Sequence, residues 1–272
     1  MSFSSSQANS LYSDLRVIRE NRPLIHSITN QVASNFTANV LLALGASPLM
    51  AHDIRELGET LSLSSSLVLN IGTLNEDQIV SMECAIGHAN TNSIPIVIDP
   101  VGSGASQLRT QTAKNLLSQS ENCLLKGNAS EINSLVLSNS ESKGVDSLEE
   151  SDKAVDCAKT ILKKFNLNAV IITGEKDFVI SPLKKTVHFN GDKIMSRVTG
   201  MGCALTAVVS AFSSVNFNYS EAARNAVSLF GIVGQLARRK SYGPGSFQSC
   251  FLDILFSIGH EDIHKEIKVE LC

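Results

Sequence analysis

Two kinds of segment alternate along this 272-residue chain. Short runs rich in Val, Ile and Leu occupy residues 24–28, 67–71, 94–98, 123–126 and 169–173, and each ends at or beside Gly, Asn, Asp or Thr. Longer stretches carry apolar residues at helical spacing: Phe36, Val40 and Leu44 fall four apart within 32–44, and 78–89 and 152–165 read the same way. Strands this apolar suit a parallel sheet covered on both faces. Their alternation with helices predicts βαβ units with right-handed crossovers, hence one three-layer αβα domain over residues 1–272.

The remaining segments are less regular. Between 178 and 194, Pro182 and the Asn190-Gly191 pair punctuate short β-like pieces, which reads as a hairpin. From 201 to about 258 the pattern is almost wholly helical. The polar stretch 138–150 reads as a surface loop leading into a helix, and the Ser-rich residues 1–10 as a weakly ordered tail.

Composition narrows the partners. The 23 basic and 26 acidic residues nearly cancel and form no long run, so the electrostatic footprint of a nucleic-acid binder is missing. Six scattered cysteines include no Cys-x-x-Cys pair, which argues against a zinc ribbon or redox motif and fits a reducing cytoplasm. The polar start is unlike a secretory signal, and no apolar run approaches the roughly 20 residues of a membrane span.

In an open parallel sheet, ligands gather at the carboxyl ends of the strands. The polar clusters of this chain sit there. Thr199-Gly200-Met201-Gly202-Cys203 opens directly into an apolar helical stretch, so it exposes backbone N–H groups where a helix dipole favours an anion. The run 96–98 delivers Asp99, followed by Pro100, Gly102 and Gly104; a carboxylate there suits a hard cation or a substrate group, although Asp-Pro also initiates turns. The run 123–126 is followed by Asn128 and Glu131, so that Lys126 suits a phosphate and Glu131 a cation, while Asn128 and Glu131 also have capping-box spacing. Thr173 ends the last run. Neither the P-loop signature nor the protein-kinase glycine loop is present, so any ATP chemistry uses another scaffold.

Together these motifs resemble the ribokinase-like small-molecule kinases. With Ile25-His26-Ser27-Ile28-Thr29-Asn30 and the segment 45–51 ending in Pro48-Leu49-Met50-Ala51, the resemblance is closest to the hydroxyethylthiazole kinases, from about Pro23 into the C-terminal helices. It implies a ribokinase-like fold with a mostly parallel sheet, and phosphorylation of a thiazole alcohol by ATP with Mg2+ in thiamine salvage. It further implies that Asn30, Met50, Gly72 and Gly200 face the thiazole and that Lys126, Asn128 and Thr173 hold ATP. Asp99 and Glu131 would organise the metal, with Gly200, Gly202 and Cys203 at the reacting phosphoryl group. The family is typically a homotrimer with sites between subunits. Sibling kinases for hydroxymethylpyrimidine or pyridoxal, an ATP-dependent dehydratase of damaged nicotinamide cofactor, and a non-catalytic nucleotide binder are the alternatives.

Two positions depart from the family pattern. Lys126 stands where Arg is common, which replaces a bidentate guanidinium by a single ammonium, and Arg55 interrupts an expected acidic run over 52–56. His26 and His52 have no histidine partner at ligand spacing and read as structural or substrate-proximal; His188, His260 and His264 read as surface residues. At the helix N-terminus, Cys203 is expected to have a thiol pKa drawn down toward neutrality.

Overall fold

The computed structural model describes residues 3–137 and 147–272. Helix α1 (Phe3–Asn21) precedes β1 (Leu24–Ile28), α2 (Ser34–Leu44), β2 (Ser47–Leu49), α3 (Leu57–Ser62), β3 (Ser66–Asn70), α4 (Glu76–Thr91) and β4 (Ile96–Asp99). Then follow α5 (Gln107–Gln119), β5 (Cys123–Asn128), α6 (Ala129–Ser134), α7 (Ser147–Lys164), β6 (Ala169–Thr173), β7 (Asp177–Ile180) and β8 (Lys185–His188). A 3-10 turn (Lys193–Arg197) leads into α8 (Met201–Ser213), α9 (Tyr219–Lys240), α10 (Pro244–Ser257), α11 (His260–Glu266) and β9 (Val269–Leu271).

The strands form one sheet in the order β2-β1-β3-β4-β5-β6-β7-β8-β9. Pairing is parallel from β2 to β6 and antiparallel from β6 to β9. Because successive side chains leave a strand on opposite faces, the two cores alternate along each one. Ile25, Val68, Val97, Leu124 and Ile171 pack with α1, α2, α8, α9 and α10. Leu67, Leu69, Ile96, Ile98, Leu125 and Ile172 pack with α3 to α7. The three-layer arrangement expected from the alternation is therefore present.

Local signals account for several boundaries. Gly45, at φ 105°, ends α2 by turning its N–H back onto Leu41 and Leu42. Pro48 is accommodated because β2 is an edge strand, where a missing N–H breaks no ladder. The hairpin is β7–β8, but its turn spans 181–184 around Pro182, whereas Asn190-Gly191 lies beyond it and leads toward the 3-10 turn.

Two expectations are corrected. Residues 3–10 are no tail: they are the first turns of α1, where Gln7 and Ala8 are buried, Gln7 bonds Asn225, and Asn225 Nδ2 donates to Ser10 and Asp14. Nor is His188 on the surface. It is buried on β8 between Thr186 and Ser228, and burial, aided by nearby Arg224, pushes its pKa down to about 3. Of the stretch read as a loop, 138–146 lies outside the described residues and 147–150 is already helix.

Candidate active site

Strand parity places Asn70, Asp99, Lys126 and Thr173, from four adjacent strands, on the sheet face covered by α8, each at a carboxyl end. Asn70 lies directly opposite Asp99 in the parallel register of β3 and β4. Asp99 is fully buried and is the hub of this row. Its Oδ2 accepts from Thr206 Oγ1 of α8 (2.7 Å) and Asn70 Nδ2 (3.0 Å), with Lys126 Nζ at 3.5 Å. Its Oδ1 has no partner among the described residues. Burial opposes the charge on Lys126, but Asp99, Glu131 and Cys203 outweigh it and hold the ammonium pKa above its ordinary value.

Asn70 extends the network to β1. Its Oδ1 accepts from Asn30 Nδ2 (2.8 Å) and Gly72 N (3.0 Å), and Asn30 Nδ2 also reaches Cys203 Sγ at 3.3 Å. Gly72 has to be glycine for this contact, since a Cβ there would lie 2.7 Å from Asn30 Cβ. A chain of polar contacts thus runs from Asp99 to the first turn of α8.

That turn is built by Gly200, the N-cap residue at φ 87°, which is free of the strain a Cβ would bring at positive φ and rests against Ala33. Met201 N–H bonds Val198 O and Ala204 N–H bonds Gly200 O. Among the described residues the N–H groups of Gly202 and Cys203 between them have no partner, the orphan donors that make a helix start an anion site. Lys126 Nζ lies 3.0 Å from where a Cβ on Gly202 would be, so an ammonium and the open amides converge. The Cys203 thiol does not titrate as its helix position suggests. Burial first, then Asp99, raise its pKa above the usual thiol value despite Lys126 and the asparagine contacts, so it is a neutral thiol at pH 7.

Glu131 sits one loop away and is committed to the backbone. Its Oε1 accepts from Gly102 N (2.9 Å) and its Oε2 from Asn128 N (2.8 Å), the latter closing the capping box with Asn128. Burial, then the Asp99 carboxylate, raise its pKa. Asn128 is exposed and its side chain is spent on that cap. No cluster of three or more His, Cys, Asp or Glu suited to a metal occurs among the described residues. The free Asp99 Oδ1 and the mutual repulsion of two carboxylates nevertheless fit a hard cation held chiefly by water and substrate oxygens.

Two clefts lie on this part of the molecule, and the larger reaches the α8 start. One, of about 470 Å³, is lined by Thr29, Gln31, Met50 and His52 among others. Of the four residues expected to face the thiazole, Met50 alone lines this cleft; Asn30, Gly72 and Gly200 do not, although Asn30 lies between the lining residues Thr29 and Gln31. His26, buried on β1, bonds Ala51 O through Nε2 at 2.8 Å and so fixes the Met50 segment; burial lowers its pKa and keeps it neutral. The second cleft, about 1100 Å³, is lined by Thr173, Gly202, Met201, Phe189, Phe230 and Arg197 among others.

Sequence reasoning missed Asn70, Thr206 and Arg109. Arg109 Nη1 donates to Ile71 O (2.9 Å) and Val101 O (2.7 Å), and its Nη2 to Gly72 O (2.7 Å), which ties the loops after β3 and β4 together. The strand end at Asn70 and the helical place of Thr206 were legible, though not which neighbours they meet; Arg109 lies on α5, a helix that the reading of the apolar pattern did not include.

The likeness to known proteins extends over nearly the whole chain. The model of the hydroxyethylthiazole kinase family matches residues 15–261. A hydroxyethylthiazole kinase of Desulfotalea psychrophila is 43% identical over 257 residues, 94% of each chain, and one of Leptospira biflexa is 41% identical over 94% of this chain and 96% of its own. A solved hydroxyethylthiazole kinase structure from Pyrococcus horikoshii superposes with a TM-score of 0.88 at 37% identity, covering 97% of this chain and 99% of that one. With its three-layer ribokinase-like fold and a family match that spans every element of the site just described, the chain belongs to the hydroxyethylthiazole kinase family.

Proposed function

We propose that this enzyme transfers the γ-phosphoryl group of ATP to the primary alcohol of 5-(2-hydroxyethyl)-4-methylthiazole, in thiamine salvage. The observation that carries the reading is the start of α8, where open amides and the Lys126 ammonium converge at the larger cleft and Cys203 meets Asn30, the neighbour of the smaller cleft's Thr29 and Gln31. The smaller cleft takes the thiazole on Met50, and Asn30, Gly72 and Gly200 act from outside its lining by holding the network that leads to Cys203. The larger takes ATP, with Phe189 and Phe230 toward the base and Thr173 and Lys126 toward the phosphates; Asn128 acts there only by capping α6.

As the alcohol oxygen bonds to the γ-phosphorus, the bond to the bridging oxygen breaks, ADP leaves and the alcohol proton is released. Gly202 and Cys203 N–H groups and Lys126 stabilise the equatorial oxygens, where charge is carried in phosphoryl transfer. Loose transfer needs little base, so the neutral Cys203 thiol orients the hydroxyl beside Asn30 rather than ionising. Asp99 and Glu131 would hold Mg2+, which supplies charge neutralisation of the phosphates.

The enzyme is proposed to work as a homotrimer in the cytoplasm. Val32, Ile54 and Val80, exposed by 66%, 53% and 49%, lie in or beside the smaller cleft, where a neighbouring subunit would cover them. No helix among the described residues is long and apolar enough to cross a membrane. A coupled ADP-release assay over thiazole, pyrimidine and pyridoxal alcohols tests the function, with turnover fastest on the thiazole. Equal or faster turnover of hydroxymethylpyrimidine overturns the assignment. Light scattering alongside kinetics tests the trimer, which a fully active monomer would exclude.

A further inference from the structure

We infer that Asn190 is a positioning residue for the nucleotide cleft, through which the C-terminal segment 266–268 sets nucleotide affinity; this rests on the kinase reading above. The wall formed by Phe189, Asn190 and Gly191 lies past the end of β8, where a single main-chain bond continues the pairing with the β9 side. Something else has to hold it. Asn190 is buried, and its amide is used at both ends: Nδ2 donates to Glu266 O (2.8 Å) and Gln235 Oε1 (3.1 Å), and Oδ1 accepts from Lys268 N (2.7 Å). Phe189 N–H adds a bond to Lys268 O at 3.0 Å.

The anchor is itself held. Arg239 grips Glu266 with both terminal nitrogens, at 2.6 and 2.8 Å, and Gln235 Nε2 donates to Glu266 Oε2 at 2.7 Å. Arg239 is half exposed, so this ion pair contributes little to stability, and its geometric role is the larger one. Helix α9 also packs its Gly231 on the wall, where a Cβ would stand 2.7 Å from Asn190 O. The wall is therefore clamped by α9 and residues 266–268, which follow the last residue of the family match.

The test uses the full chain, with ATP affinity by calorimetry, the KM of ATP and of the thiazole alcohol, kcat and thermal midpoint. Asn190→Ala is expected to weaken ATP binding and raise its KM by about tenfold, as loss of hydrogen bonds of this kind allows, with kcat and the alcohol KM within twofold. Gly231→Ala, which displaces Asn190 from α9, is expected to give the same split. Should Asn190→Ala fail to fold, Gly231→Ala and Glu266→Gln carry the comparison. A lowered thermal midpoint with unchanged ATP affinity and KM would show that the clamp only braces the fold and overturns the inference. If the wild type binds no ATP, the kinase reading fails first and takes this inference with it.

Discussion

Lys126 Nζ stands 3.5 Å from Asp99 Oδ2 in an ion pair almost wholly removed from solvent, with the ammonium side chain 5% exposed and the carboxylate 0%. Removing one partner from such a pair strands the other, at a cost of about 3–5 kcal/mol. Lys126→Met is therefore expected to destabilise by that amount, and adding Asp99→Asn to restore much of it. Urea unfolding of both singles and the double checks this; additive losses would show that the two charges do not compensate each other. The folded Lys126 pKa is raised, so its contribution is complete below the unfolded value and is lost as pH climbs through the folded one, in the strongly alkaline range.

Glu131→Gln separates metal holding from capping. The carboxylate accepts two backbone N–H bonds through different oxygens, and an amide can accept only one of them. About 1–3 kcal/mol of stability should be lost for the unsatisfied donor, and turnover should drop as well. Turnover equal to the wild type at saturating magnesium would leave Glu131 as a cap alone.

Cys203→Ala removes the group that orients the hydroxyl and should lower kcat by up to about 10²-fold, the cost of misplacing a reacting group, with ATP binding retained. Cys203→Asp should stay active, because a carboxylate at the start of α8 can accept a hydrogen bond from the hydroxyl and orient it in the same place. Because the thiol pKa is raised, the wild-type kcat should show no Cys203 ionisation below pH 9. An Ala variant within twofold of wild type would reduce Cys203 to packing.

Gly72→Ala tests the Asn30 contacts that lead to the start of α8. The new methyl would meet Asn30 at 2.7–2.8 Å and push its amide from Asn70 and Cys203. The expected result is a raised KM for the alcohol and a lower kcat, with ATP affinity unchanged by calorimetry. Wild-type kinetics would mean that Asn30 plays no part in orienting the alcohol.

Asp177, partly buried beside the larger cleft, has its pKa pushed up to about 6 by burial, against the Gly174 N–H bond and Lys126. A carboxylate with a raised folded pKa contributes stability below its unfolded value of 3.8 and loses it as pH rises through about 6. Wild type should thus gain less stability, or lose more, between pH 5 and pH 7 than Asp177→Asn. Identical pH dependence of the urea midpoints would contradict this.

Much of this was legible before any coordinates. The five buried runs and α2 and α4 follow from apolar periodicity, and the site motifs from their places after strands. Helix α1 was missed although Ala8, Leu11, Leu15 and Ile18 form a buried stripe at helical spacing, because its Ser- and Asn-rich first turns, held by a polar network with α9, hide where it begins. Asn70 and Thr206 were invisible for another reason: their partner Asp99 lies 29 and 107 residues away, and only strand register and the placement of α8 bring them together. The Cys203 expectation failed because helix position is a local signal, whereas burial and the Asp99 charge are tertiary.

The sheet ends in three-residue strands on both sides, β2 carrying Pro48 and β9 carrying the exposed Glu270. Short borders with an imino acid or a charge are poor templates for amyloid-like accretion. Self-association of this chain therefore has to proceed through side-chain surfaces, not through main-chain zippering. A subunit contact made through such surfaces would open without first breaking a shared backbone ladder.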